Sequence, residues 1–190
     1  RRLDVSVRKH TDAVKFSDYR EMISQFGDKI DVLNVSTADH THAPAAMLAM
    51  RKGIHVYVQK PLTHTVWEAR QLAKYARENK ICTQMGNQGT ATDGLREGAE
   101  YVRSGGLGKV KEIHAWTNRP VWPQAPSVVA RPSEKQDVPS HMDWNSFIGP
   151  APMRPYHSSY TPFKWRGWWD YGTGALGDMA CHTTNLAFMA

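Results

Sequence analysis

Through its first hundred residues the chain alternates short apolar runs with amphipathic stretches. Residues 30–36 hold Val32, Leu33 and Val35 in a run that predicts a strand. Residues 43–52 are rich in alanine and methionine and close on Gly53, which predicts a short helix. The apolar run from Ile54 to Val58 predicts a second strand, buried on both faces as in a parallel sheet and ending at Lys60 and Pro61. Residues 65–79 carry the clearest helical period, with Val66, Ala69, Leu72, Ala73 and Ala76 on one face. A third strand is predicted over residues 81–85, and a further helix over 92–104, closed by Gly105 and Gly106. This βαβαβα rhythm predicts an α/β fold whose parallel sheet has right-handed crossovers.

At Lys109 the pattern changes. Residues 109–116 alternate polar and apolar positions, as a half-exposed strand of a separate sheet would. A domain boundary is therefore expected near Gly105 to Gly108, dividing the chain into residues 1–106 and 107–190. Between residues 119 and 162 eight prolines break any periodicity: Pro120, Pro123, Pro126, Pro132, Pro139, Pro150, Pro152 and Pro155. That stretch is expected to be a long irregular excursion over the surface. Beyond it, Gly172, Gly174 and Gly177 spell G-x-G-x-x-G. The dinucleotide fingerprint of that form needs a buried strand before it and an acidic residue some distance after it; here an aromatic-rich stretch precedes it and the chain ends soon afterwards. A glycine-rich lead into a helix starting near Ala175 is the better reading. The aromatic group Trp165, Trp168, Trp169 and Tyr171 has two readings, a stacking surface for sugar or nicotinamide rings and the small core of a second domain.

Composition narrows the function classes. With 190 residues and 41% hydrophobic content the chain buries a core. It has no apolar run of bilayer length and no signal-peptide pattern. It opens on Arg1 and closes on Ala190 inside an apolar helical pattern, so it is expected to be an internal piece of a longer protein, with cytoplasmic and exported locations both open. The formal charge of +6 is spread along helices and turns without a dense basic run, which argues against nucleic acid and suits an anionic ligand such as a dinucleotide. Cys82 and Cys181 form neither a disulfide framework nor a zinc spacing. Cys82 is expected in the core and Cys181 in helix packing.

The chemistry concentrates at two places. Lys60 stands at the carboxyl edge of a predicted parallel strand, and in open α/β sheets that edge is where ligands bind. In a low-dielectric cleft a lysine acts as acid, base or alkoxide stabiliser, whereas a lone Lys-Pro is more often a surface lysine at a loop start. Asp178 and His182 lie four residues apart, one turn above each other on one helical face. A carboxylate beside an imidazole suits general acid–base work, although surface Asp–His pairs are common. His141 and His157 lie in a loop without a partner pattern, so no metal site is expected.

Three stretches resemble the family of glucose-fructose oxidoreductase, inositol dehydrogenase and rhizopine catabolism proteins (Gfo/Idh/MocA). Val32 to Thr37, followed by Asp39 and His42, is similar to the family's strand and turn beside the cofactor. Gly53 to Leu62 is similar to its Glu-Lys-Pro segment, with Gln59 in place of the glutamate, which removes a charge beside Lys60. Gly174 to His182 is similar to the second-domain helix carrying an Asp and a His. The resemblance implies part of a Rossmann-type parallel sheet, followed by the start of an α+β domain with an open, mostly antiparallel sheet. It implies NAD or NADP as cofactor, a sugar, polyol or glycoside as substrate, and homo-oligomers of the full-length protein. It also places the glycine-rich phosphate loop upstream, so these 190 residues alone are expected to bind cofactor poorly. Lys60, Asp178 and His182 would be the catalytic set. Ser36, Thr37, Asp39, His42, Gln59, Lys60, Pro61, Asn87, Gln88, Trp165 and Arg166 would hold the cofactor. The implied reaction is hydride transfer at a secondary hydroxyl. The alternatives are a glycosidase or lyase working through transient oxidation of the sugar, and a non-catalytic fragment.

Overall fold

A computed structural model describes residues 8–122 and 127–190, so Pro123 and Pro126 lie outside the described residues. Strands β1 (Val32–Val35), β2 (His55–Gln59) and β3 (Thr83–Gly86) form a parallel sheet in the order β1-β2-β3. Val35 pairs with Val58, and Val58 with Met85, so Ser36, Lys60 and Asn87 leave the sheet along one edge. The helices of this half are α1 (Tyr19–Phe26), α2 (His42–Arg51), α3 (Val66–Asn79) and α4 (Asp93–Arg103). The chain thus has the βαβ order read from its apolar pattern.

Local chemistry explains the boundaries. Gly53, at φ +80°, takes the left-handed conformation that ends α2 and turns the chain into β2. Helix α3 starts on a capping box, in which Thr65 Oγ1 accepts from Glu68 N at 3.2 Å and Glu68 Oε2 accepts from Thr65 N at 2.8 Å. Helix α1 lies outside the elements expected from the sequence; Asp18 caps it by accepting from Arg20 N at 2.8 Å, and Ile23 is its buried anchor. The first core is built by Ala45, Ala46, Ala49 and Met50 of α2, together with Val56 and Val58 of β2 and Leu72 and Ala76 of α3. The alanines leave no bulk between helix and sheet, so α2 packs close against β2.

Two expectations are corrected. Residues 109–116 form no strand, and Val110, Ile113 and Trp116 are exposed. An alternating strand persists only where a neighbour completes its backbone ladder, and among the described residues none lies beside it. Cys82 is exposed, because it precedes β3, the outer strand of the sheet, at a stretch open to solvent.

The second half folds around aromatic rings. Helix α5 (Trp144–Ile148), inside the proline-rich excursion, contributes Trp144 and Ile148 to a core with Tyr156, Tyr160, Trp165 and Tyr171. Trp144 Nε1 donates to Arg154 O at 2.7 Å, which satisfies the indole inside that core. Asp170 receives Arg154 Nε at 2.6 Å and Arg131 Nη2 at 3.0 Å, tying the excursion to the aromatic segment. Of the two readings of the aromatic group, the core reading holds for Trp165 and Tyr171, while Trp169 is exposed. Helices α6 (Gly174–Thr183) and α7 (Asn185–Met189) follow. The halves are joined by His40, which is buried between the rings of Phe147 and Tyr171; its Nδ1 lies 3.1 Å from Tyr171 O and its Nε2 2.8 Å from Phe147 O.

Tyr171 is wholly buried, its hydroxyl has no hydrogen-bond partner among the described residues, and burial pushes its pKa up to about 12. A buried donor without a partner costs about 1–3 kcal/mol. Tyr171→Phe should therefore raise the unfolding free energy by about that amount, read from urea denaturation. A loss of stability would show that the hydroxyl is satisfied.

Candidate functional site

The site lies where the carboxyl ends of the three strands meet helix α6. From β2, Lys60 extends its Nζ to donate to both the backbone oxygen and Oδ1 of Asp178, each at 2.7 Å. The lysine side chain is 19% exposed and the aspartate side chain 12%, so this pair is largely removed from water and held by two bonds rather than one. Arg166 stacks its guanidinium 4.3 Å from the Trp165 ring centroid and 4.4 Å from that of Phe163. From there its Nε lies 3.6 Å from Asp178 Oδ1. The Asp178 carboxylate thus sits between two cations.

His182 is one turn further along α6 and half-buried. Burial, and then the Lys60 ammonium, hold its pKa below the ordinary histidine range, against the pull of the Asp178 carboxylate. The ring makes no hydrogen bond among the described residues, so the neutral imidazole keeps a nitrogen lone pair available to take a proton. Cys181 packs its thiol against the carbonyls of Gly177 and Asp178, and burial raises its pKa, which disfavours the thiolate a nucleophile needs.

The glycines of the G-x-G-x-x-G stretch serve helix docking. They follow a helical turn, Lys164–Gly167, rather than a strand. A Cβ on Gly172 would meet Arg166 Cα and O at 2.6 Å, so only glycine lets the lead into α6 pass against the Arg166 backbone.

The residues expected to hold a cofactor divide into two groups. Ser36, Thr37 and Gln88 are exposed at the ends of β1 and β3. Gln59 lies over Gly86, and its Oε1 accepts from Lys60 N at 3.4 Å. Asn87 donates through Nδ2 to Cys181 O at 2.6 Å and to Thr90 Oγ1 at 3.1 Å, while its buried Oδ1 has no partner. That orphaned acceptor, beside polar side chains at three aligned strand ends, fits a polar ligand such as a dinucleotide. Asp39 and His42, in contrast, are buried and engaged with protein groups. Asp39 Oδ2 accepts from Thr173 N at 3.2 Å and Thr173 Oγ1 at 2.9 Å. His42 Nδ1 lies 2.8 Å from Pro61 O, and its Nε2 lies 3.1 Å from Thr37 O. Burial raises the Asp39 pKa, and the two Thr173 donors and the His42 and Arg166 charges oppose that rise. Sequence reasoning missed Thr173 and His40, whose partners lie more than a hundred residues away and leave no local pattern.

Comparison with known proteins settles the family. Residues 3–87 match the profile of an oxidoreductase family's NAD-binding Rossmann fold, and residues 121–187 match that family's C-terminal alpha/beta domain. The chain belongs to the Gfo/Idh/MocA oxidoreductase family. Its relatives include a levoglucosan dehydrogenase from Pseudarthrobacter phenanthrenivorans, 23% identical over 90% of this chain and 35% of the relative. A glycosyl hydrolase family 109 protein from Shewanella sp. (strain ANA-3) is 37% identical over 48% of this chain and 20% of that protein. The chain therefore spans about a third or less of the length of these Gfo/Idh/MocA relatives. A solved levoglucosan dehydrogenase, in complex with NADH and levoglucosan, shares the fold with a TM-score of 0.63 at 20% identity, over 98% of this chain and 41% of that one.

The electrostatics of His40, which is buried, and of the half-buried His182 make stability pH-dependent. His40 and His182 both have folded-state pKa values below the ordinary 6.5, chiefly through burial. A histidine of this kind binds fewer protons folded than unfolded below its unfolded pKa, so its full contribution is present above about pH 6.5 and is lost as the pH falls through that value. Asp39, with its raised pKa, acts in the opposite sense only above the ordinary carboxylate value of 3.8. Denaturation midpoints measured at pH 7.5 and 5.5 should fall toward acid. An equal or higher midpoint at pH 5.5 would contradict this balance.

Proposed function

We propose that the protein containing this chain is an NAD(P)-dependent dehydrogenase that oxidises a secondary hydroxyl of a sugar, cyclitol or glycoside. The observation that carries this reading is the Lys60–Asp178 pair, at 2.7 Å across the two halves, with His182 one turn along the same helix. A nicotinamide dinucleotide, when bound at the strand ends, supplies the hydride acceptor. Ser36, Thr37, Gln59, Pro61, Asn87 and Gln88 are the proposed residues of its cradle, with Arg166 closing over it from the second half, backed by the buried Trp165 ring. His182, held neutral by burial and the nearby ammonium, takes the proton of the substrate hydroxyl. Lys60 donates to the same oxygen and stabilises the alkoxide charge that develops as the proton leaves. Asp178 keeps the Lys60 ammonium at that position and balances its charge.

A second reading has one specific support, the 37% identity of half the chain to a glycosyl hydrolase family 109 protein. In that reading the same three residues serve a transient oxidation at C3, which acidifies the neighbouring C–H and permits elimination of the glycosidic group. Release of aglycone from a glycoside without accumulation of NADH favours this second reading, and stoichiometric NADH favours the first.

In the intact protein, Lys60→Met and His182→Ala should each lower turnover by roughly 10²-fold or more, with little change in cofactor affinity by fluorescence titration. Near-normal turnover in both variants would remove the assignment.

A further inference from the structure

Helix α6 carries Asp178 and His182, yet its own N-cap residue provides no side-chain cap: Thr173 makes no such bond within the helix. The cap comes from the other half. Asp39, in the turn after β1, points its carboxylate at the start of α6, where Oδ2 accepts from both Thr173 N and Thr173 Oγ1. A carboxylate at that end also faces the positive end of the helix dipole. Two further side chains hold the same helix from the remaining strand ends: Lys60 on Asp178, and Asn87 on the carbonyl of Cys181. Residues 173, 178 and 181 are thus each held by a polar side chain from the sheet edge, following β1, β2 and β3 in turn. In the dehydrogenase reading Lys60 stabilises the alkoxide, and Asn87 keeps a buried Oδ1 without a partner among the described residues. Asp39 is 4% exposed, and its carboxylate is engaged with Thr173 at the start of the helix.

We propose that Asp39 is a positioning residue, whose carboxylate caps α6 across the junction of the two halves and sets the placement of Asp178 and His182 against Lys60. This rests on the dehydrogenase reading for its effect on turnover, but not for its effect on the helix. The geometry specifies what a replacement must keep. Both bonds converge on a single oxygen, so the isosteric Asp39→Asn can retain them through its carbonyl, whereas Asp39→Ala removes both. Thr173→Val removes the hydroxyl bond and leaves the backbone one. A misplacement of reacting groups on the scale of an ångström costs up to about 10²-fold in rate.

The test compares Asp39→Ala, Asp39→Asn and Thr173→Val in the intact protein, with amide hydrogen exchange and steady-state kinetics as the two readouts. Asp39→Ala should speed exchange in the first turns of α6 relative to α3 and lower kcat by about 10- to 100-fold, with cofactor affinity unchanged. Asp39→Asn should restore both readouts to near the starting values, and Thr173→Val should fall between. If Asp39→Ala fails to fold, the contrast of Asp39→Asn with Thr173→Val carries the same test. Exchange in α6 and kcat that both match the starting protein in Asp39→Ala, or exchange that rises equally in α3 and α6, would overturn the proposal. If Lys60→Met keeps full turnover while Asp39→Ala still loosens α6 selectively, the dehydrogenase reading fails and the capping role stands.

Discussion

The bond pair between Lys60 and Asp178 is the constraint on which the rest of the site depends. An ammonium and a carboxylate that are both mostly out of water need each other, because either one left alone would be a buried charge without compensation. The lysine is delivered by the end of β2 and the aspartate by a helix more than a hundred residues later. Satisfying that pair therefore fixes the approach of the second half to the sheet. The stacked Arg166 adds a second cation on the outer side of Asp178, where two aromatic rings restrict its guanidinium. Between these cations the aspartate is the electrostatic centre, and His182, one turn away, feels the Lys60 ammonium more than the opposing carboxylate.

The division of labour between the halves follows from their cores. The first is an alanine- and valine-rich packing of α2 on β2. The second is a knot of rings around Tyr171, with Trp144, Phe147 and Tyr160 at centroid distances of 5.4–6.2 Å from it. His40 belongs by sequence to the first half, yet it is packed into the second through the carbonyls of Phe147 and Tyr171. The junction thus joins two separate cores through polar bonds, His40 on one side and the Lys60–Asp178 pair on the other.

Much of this was legible in the amino-acid sequence, and the limits have physical causes. The strands around Val32–Val35 and His55–Gln59 announce themselves through short runs rich in valine, and helix α3 does so through its 3.6-residue apolar period. Lys60, Asp178 and His182 stand out because their positions relative to strand edge and helix face are local facts. The strand expected at residues 109–116 fails because alternation records which face is apolar but not whether a neighbouring strand exists. Helix α5 hides among prolines, where a five-residue helix has too little length for a period. The bond between Asp39 and Thr173 was invisible for a different reason: the two residues lie 134 positions apart and leave no local pattern.

The three grips on α6 have a mechanical meaning. A rod held at one point can swing and a rod held at two can still roll about its long axis. A rod held at three points, from three strand ends in a row, can do neither without breaking at least one bond. The azimuth of α6 is therefore locked, and with it the direction in which its side chains emerge. The bonds that fasten α6 to the sheet edge thereby also aim Asp178 at Lys60.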